Sequence, residues 1–270
     1  MSANPIDALF SNLRSTNGKA FMPFLTAGDP DVGFTGRMIR EVATAGADLI
    51  EIGFPFSDPI ADGPVIQASY TRALNAGVKL DGIFGMLREV TQTPGWTTPL
   101  VAMVSYTLIF KRGVDTFLKQ AKEAGLSGLI IPDMPVEEAG EIAPKLAALD
   151  LKLVLLVTPT TSPERTRQIV ACSSGFLYCV SIVGITGERE GLPPALTNQL
   201  NELRKLTNLP LCVGFGISKP DQVRDLRQVA DGVIVGSALV RKIEQNLGKP
   251  DDALAEIRTL VTALAGAIHG

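Results

Sequence analysis

The sequence predicts an α/β fold, a (β/α)₈ barrel with an extra N-terminal helix and a short helix after strand eight. Two observations carry this: eight short apolar runs alternate with segments of helical period, and no linker or composition break divides the 270 residues. The runs cover 20–25, 48–53, 100–104, 128–131, 152–157, 176–181, 211–215 and 232–235. Amphipathic stretches at 33–45, 114–124, 137–149, 164–171, 195–205 and 221–229 lie between them, and a strand-then-helix rhythm implies a parallel sheet. The continuous apolar character of 154–157 and 233–235 fits parallel strands covered on both faces. Ile6, Leu9, Phe10 and Leu13 form one apolar stripe, so the N-terminal helix can plug the bottom of a barrel. Leu254, Ile257, Val261 and Leu264 form a second stripe in a C-terminal helix. Length alone allows one domain or two, but one barrel of residues 1–270 is the expected organisation.

Composition narrows the chemistry. A net charge of −3 with 46% apolar residues describes a globular protein without the basic patch that nucleic acid demands. Cys172, Cys179 and Cys212 form no CxxC pair, and two of them fall in apolar strand runs, which points to buried free thiols and a cytoplasmic, reducing setting. No signal-peptide pattern opens the chain and no stretch reaches the ~20 apolar residues of a membrane span. The one histidine, His269, sits next to the C-terminus, which argues against a histidine base, a serine triad or a multi-histidine metal site. Carboxylates are left to carry acid–base chemistry.

Barrel active sites form at the C-terminal ends of the strands. In 48–53, alternation turns Leu49, Glu51 and Gly53 toward the lumen and Ile50 and Ile52 toward the helices. A carboxylate in that lumen is costly unless it is paired or working, so Glu51 is either a satisfied structural residue or an acid–base group. Asp62 precedes Pro64, a suitable first helical residue, and reads either as a helix-capping acid or as a second carboxylate over the barrel mouth. Glycine turns follow the last three strands at Gly184-Ile185-Thr186-Gly187, Gly214-Phe215-Gly216 and Gly236-Ser237. Their joint placement suits a phosphate site built from loop amides and a helix N-terminus, with Ser237 as its cap. No lysine ends a strand, which disfavours a Schiff-base aldolase, and no cluster has metal-site spacing.

The run Ile50-Glu-Ile-Gly-Phe-Pro-Phe-Ser-Asp-Pro-Ile-Ala-Asp-Gly-Pro-Val-Ile-Gln67 strongly resembles the signature of the tryptophan synthase α subunit family. Pro23 to Pro30, Pro132 to Glu138, Gly184 to Gly187, Gly214 to Ser218 and Val235 to Ala238 resemble it too, so the likeness spans the chain. The resemblance implies a TIM-barrel lyase that splits indole-3-glycerol phosphate into indole and glyceraldehyde 3-phosphate. It implies no cofactor in this chain and a pyridoxal-phosphate β partner, in an α₂β₂ complex, that joins the indole to serine. It further implies Glu51 and Asp62 as catalytic residues and substrate contacts at Phe24, Ile66, Met103, Tyr106, Ile130, Tyr178, Thr186 and Phe215. Phosphate would be held by Gly187, Gly216, Gly236 and Ser237, and the partner would meet Pro55, Phe56 and Asp58. Thr186 would meet Asp62 when a loop closes over the site. The chain departs from many relatives at Ser105-Tyr106, where they carry a tyrosine pair, and at Ile182, where some carry arginine.

Three other readings stay open on the residues: a stand-alone indole-releasing lyase, a weakly catalytic activator of a β chain, and another phosphate-barrel enzyme such as a sugar-phosphate isomerase.

Overall fold

The structure, a computed structural model, describes residues 3–59, 62–181, 192–214 and 216–270. The chain begins with α1 (Pro5–Ser15), β1 (Ala20–Thr26), α2 (Val32–Thr44) and β2 (Ile50–Gly53). It continues through α3 (Pro64–Asn75), α4 (Leu80–Thr91), β3 (Leu100–Met103), α5 (Tyr106–Arg112), α6 (Val114–Glu123), β4 (Gly128–Ile130) and α7 (Val136–Ala148). Then come β5 (Lys152–Val154), β6 (Leu156–Val157), α8 (Pro163–Cys172), β7 (Leu177–Val180), α9 (Pro194–Leu206) and β8 (Leu211–Gly214). The last elements are α10 (Pro220–Arg227), β9 (Gly232–Val235), α11 (Ser237–Gln245) and α12 (Pro250–His269).

Every paired strand is parallel to its neighbour, in the order β5-β4-β3-β2-β1-β9-β8-β7-β6. The predicted fifth strand, 152–157, is two segments with Leu155 between them; β5 pairs with β4 and β6 with β7, so one residue closes the ring. Each of the eight predicted runs is a strand within a residue or two, and helices follow them. Two helices were not anticipated. α4 buries Ile83, Phe84, Met86, Leu87 and Val90 on one face, and α5 is a single capped segment started by Ser105.

The residues divide into two cores, as alternation requires. Ile50 and Ile52 join the layer between strands and helices, whereas Leu49, Phe24, Val101, Met103, Ile130, Tyr178 and Ile234 pack inside the barrel. α1 closes the bottom: Ile6 and Phe10 belong to the inner core, and the Phe10 ring lies 6.0 Å from that of Phe176. Asn4 fixes this plug. Its side-chain oxygen accepts from the Ile6 amide, while its amide nitrogen donates to the carbonyls of Ser127 and Asp150 at 3.1 and 2.8 Å. Lys152 pairs with Asp7 of α1 at 2.5 Å, so it faces the bottom, away from the strand ends where catalysis is expected. Cys179 and Cys212 are buried free thiols in strands; Cys172 is half-buried at the end of α8. Among the described residues no helix is long and apolar enough to cross a membrane.

The C-terminal helix is fastened at the same end. The Asp48 carboxylate accepts from the Phe21 amide at 2.7 Å and meets His269 Nε2, also at 2.7 Å, which ties α12 to the loop before β2. The hydrogen bond to Asp48 outweighs partial burial and raises the imidazole's affinity for its proton. A histidine with a raised folded pKa gives stability that is whole below its unfolded value and fades as pH climbs through the folded one. His269→Ala should therefore destabilise by ~1 kcal/mol or less at about pH 5.5 and by still less at about pH 9, as urea unfolding at the two pH values will report. An equal loss at both would show that the contact is packing alone.

Candidate active site

β2 delivers Glu51 to the top of the lumen, opposite Phe24 on β1 and Val101 on β3. It is fully buried, and neither carboxylate oxygen has a hydrogen-bond partner among the described residues. The structural alternative needed a satisfied glutamate, and this one is not satisfied. Burial first, and then the nearby charge of Asp62, push its pKa up to about 8. Asp62 is half-buried on the loop before α3, and burial pushes it up to about 6. It does not cap that helix: Pro64 is the first helical residue, Gly63 holds the cap position, and no side chain bonds there. The Asp62 carbonyl instead accepts from Gln67 Nε2 at 2.7 Å, which shapes the loop and leaves the carboxylate for the cavity.

The two carboxylates face a cavity of about 520 Å³ at the strand C-termini. Phe24, Ile66, Met103, Tyr178 and Ile234 make its apolar wall, and Gly216, Gly236 and Ser237 line the other side. Glycine has a steric reason at two of these places. Gly216 has φ +77°, and a Cβ on Gly236 would press on Phe24 at 3.3 Å. The expected cap on α11 is corrected here: Gly236 occupies the cap position, no side chain caps the helix, and Ser237 is the first helical residue. A helix start without a side-chain cap leaves first-turn amides for an anion, whose charge the helix dipole favours.

Not every expected contact converges. Tyr106 does not line the cavity; its ring packs 6.4 Å from that of Phe110, because α5 starts at this residue and turns it outward. Ile130 is buried in the inner core but is not among the residues lining the cavity. Ser105 caps α5 and donates from Oγ to Asp133 at 2.6 Å, and Asp133 also accepts from the Tyr106 amide at 2.8 Å. Thr186, Gly187, Ile182 and Phe215 lie outside the described residues.

A second cavity of about 330 Å³ adjoins the first, and both are lined by Asp62 and Met103. Phe54, Phe56, Asp58, Tyr70 and Asp133 complete much of its wall. Of the residues expected to meet a partner, Asp58 is exposed and Phe56 half-buried, but Pro55 is buried and can only shape the loop. The sequence reading missed Phe110, whose side chain on α5 is 70% exposed. An aromatic residue at position i+4 from Tyr106 was the available signal, and it reads equally well as core.

Comparison with known proteins agrees with this geometry. The family model described as tryptophan synthase alpha chain matches residues 10–269. The tryptophan synthase alpha chain of Rhodopirellula baltica is 47% identical over 253 residues, 93% of this chain and 91% of that one. That of Synechocystis sp. is 45% identical over 266 residues, covering 98% and 99%. Among solved structures, tryptophan synthase subunit alpha from Legionella pneumophila superposes with a TM-score of 0.90 at 36% identity, covering 99% of each chain. A chain of the aminoacrylate-bound tryptophan synthase of M. tuberculosis gives 0.87 at 29% identity, covering 98% of this chain and 100% of that one. An unpaired carboxylate in the lumen, a second at its rim, an open helix start across the cavity and these likenesses together place the chain in the tryptophan synthase alpha chain family.

Proposed function

We propose that Glu51 is the acid–base residue, and Asp62 its electrostatic partner, in the lyase reaction of this family, the cleavage of indole-3-glycerol phosphate to indole and glyceraldehyde 3-phosphate. The observation that carries the roles is the different setting of two neighbouring carboxylates, one held to about 8 and the other to about 6. Between those values Glu51 keeps its proton while Asp62 is ionised. Cleavage needs both states. Glu51 gives its proton to ring carbon C3, and the positive charge that develops at the ring nitrogen is offset by Asp62. The resulting Glu51 carboxylate takes the proton of the side-chain hydroxyl on the adjoining carbon. That O–H electron pair forms the aldehyde carbonyl, the carbon–carbon bond to the ring breaks, and its electrons neutralise the ring as indole. Glu51 ends protonated, ready for another turnover.

The apolar wall of Phe24, Ile66, Met103, Tyr178 and Ile234 suits the indole ring, and the start of α11 with Gly216, Gly236 and Ser237 suits the phosphate. A β chain is the fitting recipient of the indole. Its docking face would take Asp58, Phe56 and exposed Phe110, because the cavity lined by Phe56 and Asp58 shares Asp62 and Met103 with the reaction cavity. In that complex indole would meet serine on a pyridoxal phosphate held by the partner.

Four outcomes test these roles. Glu51→Gln should lower the cleavage rate ~10²–10⁴-fold or more while retaining phosphate-ester binding, and near-normal turnover would remove Glu51 from the mechanism. The same variant should be more stable than the parent. A buried acid with a raised pKa holds its proton while the unfolded chain releases one, so the parent loses stability as pH rises from about 4.5 to about 8. The gain should thus grow from near zero at about pH 4.5 to a few kcal/mol near pH 8, measured by denaturant titration.

For kcat/KM, the parent should show a bell with limbs near 6 and 8. In Asp62→Asn the acid limb should vanish. The alkaline limb of the residual activity should move down, because the charge that helps raise Glu51 is gone. An unmoved alkaline limb would show that the two groups do not sense each other. Finally, Gly236→Val should weaken binding of glyceraldehyde 3-phosphate at least ~10-fold in calorimetry, since a side chain there crowds Phe24 and the helix start. Unchanged affinity would place the phosphate elsewhere.

A further inference from the structure

One cluster of charged groups near the cavity takes no part in the steps above. Asp29 follows β1 and is fully buried. It meets Arg72 of α3 through both carboxylate oxygens: Nε donates to Oδ1 at 3.0 Å and Nη2 to Oδ2 at 2.8 Å. The remaining nitrogen, Nη1, donates to Glu244 Oε1 of α11 at 3.3 Å. Arg72 therefore bridges two helices with one planar group. α3 begins where the loop carrying Asp62 ends, and α11 begins at Gly236 and Ser237 on the far side of the cavity. A second polar stitch holds α3 to the same strand end, the 2.6 Å hydrogen bond between the buried hydroxyls of Thr26 and Ser69.

The chemistry of the pair suits a fixed strut. A buried carboxylate is tolerated only with a partner that satisfies it, and the two-pronged guanidinium fork sets angle as well as distance. Lysine could supply the charge at Asp29 but not the fork, nor the third contact to Glu244. The substrate is one molecule gripped at both ends, ring beside Asp62 and phosphate at α11. A shift of ~1 Å between the two grips is enough to cost a large factor in rate or affinity.

We propose that Arg72 is a positioning residue that sets the spacing between the Asp62-bearing segment and the phosphate-binding helix, with Glu244 as its anchor on α11. This rests on the phosphate-site assignment above. The distance between grips is felt only by a ligand that reaches both, which separates this role from general support of the fold.

The test compares three probes in Arg72→Lys and Glu244→Ala: indole alone, glyceraldehyde 3-phosphate alone, and an indole joined through a three-carbon chain to phosphate without the hydroxyl that cleavage requires. In both variants the two short probes should bind within about twofold of the parent, while the spanning probe should bind about tenfold more weakly. Glu244 is partly exposed and its removal leaves the Asp29 pair intact, so that variant folds even if Arg72→Lys does not. Parental affinity for the spanning probe in Glu244→Ala overturns the proposal. So does an equal loss for all three probes, which marks a structural role. The Gly236→Val titration keeps the two ideas apart: if it leaves glyceraldehyde 3-phosphate binding intact, the phosphate assignment fails, and if it weakens binding while the spanning probe is unaffected by Glu244→Ala, only the strut fails.

Discussion

A carboxyl group buried in the lumen of a parallel barrel, with no hydrogen-bond partner among the described residues, is the constraint around which this molecule is organised. In water Glu51 would be ionised well below neutrality. Inside the barrel burial opposes its charge, and Asp62 nearby opposes ionisation further. Around it the inner core is built largely of apolar side chains, among them Phe24, Val101, Met103, Ile130 and Ile234, with the rings of Tyr70 and Tyr178. The contrast with Asp29 is instructive. That carboxylate is equally inaccessible yet carries an arginine fork, so burial alone does not make an acid–base residue. What separates the two is whether the fold supplies a partner.

The molecule divides vertically as well. At the bottom, contacts serve cohesion: Asn4 bonding across to Ser127 and Asp150, Lys152 on Asp7, His269 on Asp48, and Phe10 against Phe176. At the top, the Glu51 carboxylate has no partner among the described residues, glycines line the cavity, and α3 and α11 begin without side-chain caps. This is the usual bargain of the barrel, in which strand C-termini carry function and the opposite face carries stability.

Much of this was legible in the sequence because it depends on short-range periodicity. The period of two in 48–53 was enough to aim Glu51 inward, and the spacing of Ile6 and Phe10 was enough to make α1 a plug. Local signals failed where two outcomes share one pattern. A serine beside a glycine reads as a cap, yet the backbone put Gly236 in that position and made Ser237 helical. Tyr106, which the family resemblance implied as a substrate contact, begins α5, packs near Phe110 and is not among the residues lining the cavity. The Asp29, Arg72 and Glu244 cluster was beyond reach for a different reason. Its members stand 43 and 172 residues apart, and no periodicity connects them.

The interruption of strand five gives the barrel a seam. On one side lie β1 to β5, on the other β6 to β9; the ladder between β1 and β9 joins the two arcs, and the Tyr178 amide donating to the Leu155 carbonyl and Arg72 reaching Glu244 tie them further. The cavity respects the same division. Phe24, Glu51, Asp62, Ile66 and Met103 belong to the first arc, Tyr178, Gly216, Ile234, Gly236 and Ser237 to the second. On the roles proposed above, proton handling would fall to the first arc and anion capture to the second, so the cavity needs both arcs to have a complete wall.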